Sequence, residues 1–114
     1  MASVIGLLGN QKALVRYHNE TCIWDYKNDV FVPINPTEQA AVKMHGIVPT
    51  IKPGLFLMLR QTDLELWDMA KPVKLKTIAE DVAPCRVISD KKDIILYSGN
   101  TITVLDNVLE GYIE

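Results

Sequence analysis

The sequence predicts an all-β chain of three similar units, each of about four short antiparallel strands, with one short helix between the first unit and the second. Three observations lead there. Cys22-Ile23-Trp24-Asp25 and Glu65-Leu66-Trp67-Asp68 end the same kind of strand, Trp67 lying 43 residues after Trp24. A weaker copy, Thr103-Val104-Leu105-Asp106, follows, with Leu105 38 residues after Trp67. Each of these runs is preceded by another apolar run and a short polar turn, which is the hairpin signature. A unit that recurs with a period near 40 residues cannot bury its apolar face alone and needs neighbours.

The elements follow in chain order. The hairpins join 13–17 to 21–25 through His18-Asn19-Glu20, 55–60 to 64–68 through Gln61-Thr62-Asp63, and 93–97 to 101–106 through Ser98-Gly99-Asn100. A strand is expected before each hairpin, at 4–8, 47–51 and 86–89, and another after each, at 30–33, 73–77 and 109–113. Turn residues separate them: Gly9-Asn10, Lys27-Asn28-Asp29, Lys52-Pro53-Gly54, Lys71-Pro72 and Asp90-Lys91-Lys92-Asp93. In the third strands both faces carry large apolar groups, as in Leu64, Leu66 and Trp67, which suits a sheet covered on both sides. The chain is one domain, 1–114, with units at 2–34, 47–78 and 83–114. The linking helix is expected at 35–46. Asn35 is placed to cap it, Pro36 stands at its first position, Glu38 completes a capping box and Gly46 ends it.

Composition narrows the class of work. The chain has 114 residues, is 48% hydrophobic and 23% charged, and carries a net charge of −2, which is globular rather than disordered. The basic excess of a nucleic-acid domain is missing, so no nucleic-acid partner is expected. No apolar run approaches the ~20 residues of a membrane-spanning helix, and the first eight residues have no basic flank, so neither a membrane nor a secretory leader is expected. Cys22 and Cys85 stand in unrelated segments, away from any ligand spacing. They are read as free thiols of a reducing, cytoplasmic compartment.

At Lys52-Pro53-Gly54-Leu55 leading to Leu66-Trp67-Asp68, and at Ser98-Gly99-Asn100-Thr101-Ile102-Thr103-Val104-Leu105-Asp106, the chain is similar to the second and third strands of tryptophan–aspartate (WD) repeat propellers. The resemblance covers nearly the whole chain as three propeller-like blades and implies protein–protein scaffolding without catalysis. The family's Gly-His pair is absent; His45-Gly46 is inverted. The family's turn aspartate, six residues before the tryptophan, is replaced by His18 and Gln61, so its hydrogen-bonded tetrad is not expected here. Single-chain propellers close with about four to eight blades. Three blades are therefore expected to be completed by oligomerisation, a two-fold dimer of six blades being favoured. A trimer, a different protein partner, a stack without a ring, or a place within a longer propeller chain are the alternatives.

The residues expected at the self-association interface lie at the chain ends: Val4, Ile5, Leu7 and Leu8, with Leu109, Tyr112 and Ile113. Trp24, Trp67 and Leu105 are expected to pack between blades. Two other functions are carried as alternatives. One is a structural subunit of a virus or phage particle. The other is a small-ligand or enzymatic site in a central channel, near Asn10, Thr50 and Ser89. Asp25 and Asp68 are expected to accept backbone N–H bonds in the turns after them. His18 and His45 lack a nucleophile in any recognised motif. Lys71, Lys74, Lys76, Lys91 and Lys92 read as a wet face or a guard of a sheet edge. No phosphate loop, dinucleotide motif, metal-hydrolase helix or nucleophile elbow occurs, so no catalytic, metal or cofactor-binding residue is assigned and no cofactor is expected.

Overall fold

The computed structural model describes residues 2–34, 44–71 and 73–113. The described residues form eleven strands: β1 (Ala2–Gly9), β2 (Lys12–Tyr17), β3 (Glu20–Asp25), β4 (Val30–Pro33), β5 (Met44–Pro49), β6 (Leu55–Arg60), β7 (Asp63–Asp68), β8 (Val73–Ala79), β9 (Arg86–Asp90), β10 (Asp93–Ser98) and β11 (Thr101–Leu105). They build three antiparallel meanders, β1-β2-β3-β4, β5-β6-β7-β8 and β9-β10-β11. The fold is all-β, with three sheets of four, four and three strands.

The central hairpins are copies of one another. The β2–β3, β6–β7 and β10–β11 turns begin with a residue of positive φ: His18 at 51°, Gln61 at 54° and Gly99 at 54°. Two-residue turns of this kind match the twist of the flanking strands and lock the register. The result is the same pairing three times. Ala13 faces Trp24, Phe56 faces Trp67, and Ile94 faces Leu105. The 43- and 38-residue spacings in the sequence are thus spacings between equivalent places in three sheets.

The equal register gives every sheet the same two faces. One carries the tryptophan position and is here called the tryptophan face: Ala13, Val15, Cys22 and Trp24 in the first sheet; Phe56, Met58, Glu65 and Trp67 in the second; Ile94, Leu96, Thr103 and Leu105 in the third. The other, the leucine face, carries Leu14 and Ile23, then Leu57, Leu59, Leu64 and Leu66, then Ile95, Tyr97, Ile102 and Val104. Packing is always tryptophan face on leucine face. Phe56, Met58 and Trp67 pack on Leu8, Leu14, Ile23 and Ile34 to form the core between the first and second sheets. Ile94 and Leu96 pack on Leu55, Leu57, Leu59, Leu64 and Leu66 to form the core between the second and third. The second sheet is covered on both sides, which is why β6 reads as a nearly unbroken apolar run and why β7 is buried on both faces from Leu64 to Trp67.

The sheets come closest at their first strands, where β1 lies against β5 and β5 against β9. At Gly6 an added Cβ would sit 2.6 Å from Ile47 Cγ1. Glycine lets the two backbones converge there, while the bulky Trp67 and Met69 fill the space further out. The three sheets fan out from these first strands but do not close into a ring.

Two elements differ from the sequence reading. Residues 35–43 of the expected helix lie outside the described residues, and Met44 to Gly46, its expected end, belong to β5 instead. Pairing of β5 with β6, from Met44 opposite Arg60 to Pro49 opposite Phe56, outweighs the local stop signal at Gly46. Segment 109–113 is not a fourth strand. Asp93 Oδ1 accepts the Asn107 N–H at 2.7 Å, where the first two sheets use backbone carbonyls (Tyr26 N–H to Gln11, Met69 N–H to Gly54). The chain then turns through Gly111 at φ 92°, with the Ile113 N–H bonded to the Leu109 carbonyl at 3.0 Å. Leu109 and Ile113 drop into the core between the second and third sheets.

Candidate assembly surfaces

Stacking three two-faced sheets leaves two faces over. One is the tryptophan face of the first sheet. Ala13, Val15 and Cys22 are buried there, with Tyr17, Trp24 and Phe31 packed against them. The Phe31 ring is stacked on Tyr17 at 4.3 Å and on Trp24 at 5.6 Å between centroids. Beside this layer Val4 and Leu7, paired with Val15 and Ala13, are 60% and 66% exposed. The other is the leucine face of the third sheet, with Ile88, Ile95, Tyr97, Ile102 and Val104 in cross-strand register. Ile102 is 72% and Val104 58% exposed on it. A row of exposed β-branched and aromatic side chains on one sheet face is the kind of contiguous apolar surface that marks an interaction site.

The residues expected at the interface divide between these surfaces and the interior. Val4 and Leu7 lie on the open face of the first sheet. Leu8 is buried between the first two sheets with Ile5 packed beside it, and Leu109 and Ile113 are buried between the second and third, with Tyr112 against them. These five side chains serve the chain's own cores. The carbonyl of Tyr112 accepts from Lys52 Nζ at 3.1 Å and its ring lies under Lys76, which ties the C-terminal turn to the second sheet. The exposed face of β9–β11 escaped the terminal-residue argument. Its signal in the sequence is the apolar alternation of Ile102 and Val104 opposite Ile95 and Tyr97.

The tryptophans answer differently to the same register. Trp67 is fully buried between sheets, its Nε1–H donating to Glu65 Oε1 at 3.0 Å, with the Arg60 guanidinium 5.5 Å over the ring. Glu65 is buried too and meets Arg60 at 3.0 Å and Lys74 at 3.6 Å. A carboxylate is tolerated there because both oxygens have partners. Trp24 is half-buried and donates to Asp29 Oδ1 at 3.1 Å. Leu105 takes the equivalent position in the third sheet and packs against the core shared with the second.

The turn aspartates do what the sequence suggests. Asp25 Oδ1 accepts the backbone N–H groups of Lys27 and Asn28 at 3.2 Å, and Asp68 Oδ1 that of Ala70 at 2.8 Å. The Asn28 side-chain amide, with help from its backbone N–H and from Lys12, holds the Asp25 carboxyl below the usual aspartate range. Cys22 and Cys85 are free, and burial pushes both thiols up.

Other polar features are dispersed. Asn10 and Thr50 line one open cleft of ≈ 220 Å³, where Thr50 Oγ1 donates toward the Leu55 carbonyl at 2.9 Å. Ser89 lies elsewhere, on the tryptophan face of β9, so the three residues proposed for a channel do not converge. A larger cleft of ≈ 680 Å³ runs past Ile51, Lys91, Lys92, Asp93 and Asn107. His18 is exposed in its turn, against Tyr17. Of His45 the backbone alone is described, in β5. Among the described residues no three His, Cys, Asp or Glu side chains are grouped to hold a metal, and no helix is long and apolar enough to cross a membrane. Comparison with known proteins finds no matching family model, no matching curated protein and no matching solved structure.

Proposed function

We propose that this chain is a non-enzymatic interaction or structural module of the propeller-like type, which self-associates through its terminal sheets to complete a ring, with a dimer of six sheets favoured. One observation carries this reading. Three sheets in identical register stack twice, always tryptophan face on leucine face, and the stack ends on one unused face of each kind. Burying such faces is favourable by about 25 cal/mol per Å² of apolar surface removed from water. A chain that keeps Ile102 and Val104 in solvent forgoes that gain, and a second copy recovers it.

A folded dimer is stabilised by mass action, so its unfolding midpoint depends on chain concentration. Guanidinium unfolding followed by tryptophan fluorescence is expected to shift to higher denaturant as the chain is concentrated a hundredfold. A midpoint independent of concentration contradicts the reading.

A further inference from the structure

We infer that the joint between copies is heterologous: the leucine face of β9–β11 in one copy seats on the tryptophan face of β1–β4 in a second copy of this chain, and the same contact repeats in reverse to close the pair. This rests on the self-association proposed above and adds its geometry, which the internal interfaces supply.

Both interfaces inside the chain join unlike faces, and neither joins like to like. The equivalences run residue by residue. On the leucine faces, Ile95, Tyr97, Ile102 and Val104 of the third sheet hold the positions that Leu57, Leu59, Leu64 and Leu66 hold in the second, where they receive the next sheet. On the tryptophan faces, Trp24 and Val15 hold the positions of Trp67 and Met58, which are already seated on a neighbour. The open tryptophan face is less charged than its covered counterpart: the first sheet carries Cys22 and Tyr17 where the second sheet's buried face carries Glu65 and Arg60. A solvent-facing surface with fewer charges than its buried counterpart fits a covered face. The open leucine face keeps Ile88, Ile95, Tyr97, Ile102 and Val104 together, with the charges of Arg86, Asp90 and Asp93 at strand ends.

The first strands fix a specific contact. Within the chain Gly6, paired with Leu14, meets Ile47, paired with Met58. The equivalent positions at the open ends are Ile88, paired with Ile95, and Val4, paired with Val15. Val4 of one copy therefore lies against Ile88 of the other. Heterologous contacts close into rings when the rotation per step allows it and form open filaments when it does not. In a closed pair each copy gives one such contact and receives one, so no open face remains.

The test uses single-cysteine additions to the full chain and a short bis-maleimide cross-linker, with the unmodified chain as the background for Cys22 and Cys85. Chains carrying Val4→Cys are mixed with chains carrying Ile88→Cys. Cross-linked pairs are expected in the mixture at several times the yield of either variant alone. Equal or higher yield from either variant alone shows like-on-like contact and overturns the inference while leaving self-association standing. Background yield in all three samples, with light scattering still giving a dimer, places the joint elsewhere and also overturns it. Monomer mass for the unmodified chain removes the self-association reading and the joint with it. As a second readout, Ile102→Asp with Val104→Asp, on side chains already in solvent, is expected to give a folded monomer; a dimer of unchanged affinity contradicts the assignment of this face.

Discussion

Trp67 and Glu65, two residues apart on the same face of β7, are joined by a 3.0 Å hydrogen bond from the indole Nε1–H to Oε1, fully inside the protein. The carboxylate also holds Arg60, whose guanidinium caps the same indole. This buried group explains how a charged residue survives where the first sheet has Cys22. Glu65→Ala removes the acceptor of Trp67 and the counter-charge of Arg60 together. It is expected to cost about 3–5 kcal/mol, as for other buried pairs broken on one side. Glu65→Gln, which keeps an acceptor, is expected to cost less. Urea unfolding compares them, and equal costs for the two would contradict the role given to the hydrogen bond.

Gly6 sets the spacing of the first two sheets. A Cβ there meets Ile47 Cγ1 at 2.6 Å and Cδ1 at 2.7 Å, so Gly6→Ala forces the isoleucine from its rotamer. The expected loss is about 1–3 kcal/mol, typical of overpacking. Adding Ile47→Ala to Gly6→Ala should then cost less than Ile47→Ala costs in the parent chain. A double-mutant cycle in thermal unfolding reads this coupling, and simple additivity would show that the close approach is not maintained in solution.

Asp25 links stability to acid. Its carboxyl is held low, chiefly by the Asn28 side chain, so the folded state binds its proton more weakly than the unfolded chain does. The contribution is complete above the ordinary aspartate value of 3.8 and is lost as the pH falls through the lower folded value. The carboxyl lies at the sheet end within reach of solvent, so screening keeps the effect small. Asp25→Asn should therefore narrow the gap in stability from the parent as the pH drops below 3.8, measured by melting temperature. A gap that widens with acidification reverses the assigned sign.

The two thiols should be distinguishable by reagent. Cys22 is buried against Tyr17, Trp24 and Phe31, whereas Cys85 is half-buried and lines a cleft of ≈ 420 Å³ beside Leu96 and Leu105. Burial raises both, so both react slowly near neutral pH. Iodoacetamide on the native protein, read by peptide mass, is expected to label Cys85 first and Cys22 only in denaturant. The reverse order would mean that the first sheet's aromatic layer is open.

Much of this architecture was legible in the residues. The polar segments His18-Asn19-Glu20, Gln61-Thr62-Asp63 and Ser98-Gly99-Asn100 sit between alternating runs, so the three hairpins and the equivalence of Trp24, Trp67 and Leu105 follow from local chemistry. The turns prove to be two residues long, His18-Asn19, Gln61-Thr62 and Gly99-Asn100, and that sets the register. Segment 109–113 was not legible, because an apolar run after a turn reads the same whether it pairs as a strand or folds over a core. The choice is made by Asp93, far off in sequence, taking the Asn107 N–H. Met44 to Gly46 likewise follow their partner β6 and not their own capping signal. The ends of the chain also proved a poor guide to the ends of the stack. Leu8, Leu109 and Ile113 are terminal in sequence and interior in space, while Ile102 and Val104 are the reverse. Which face of a sheet is left uncovered depends on how whole sheets stack, and no single run of residues encodes that.

The mass of the chain in solution tests the central claim most directly. Multi-angle light scattering across a dilution series is expected to give twice the 12.8 kDa chain mass at high concentration, falling toward one copy as the sample is diluted. A constant 12.8 kDa at every concentration would show that the two open faces do not find each other, and would contradict the account.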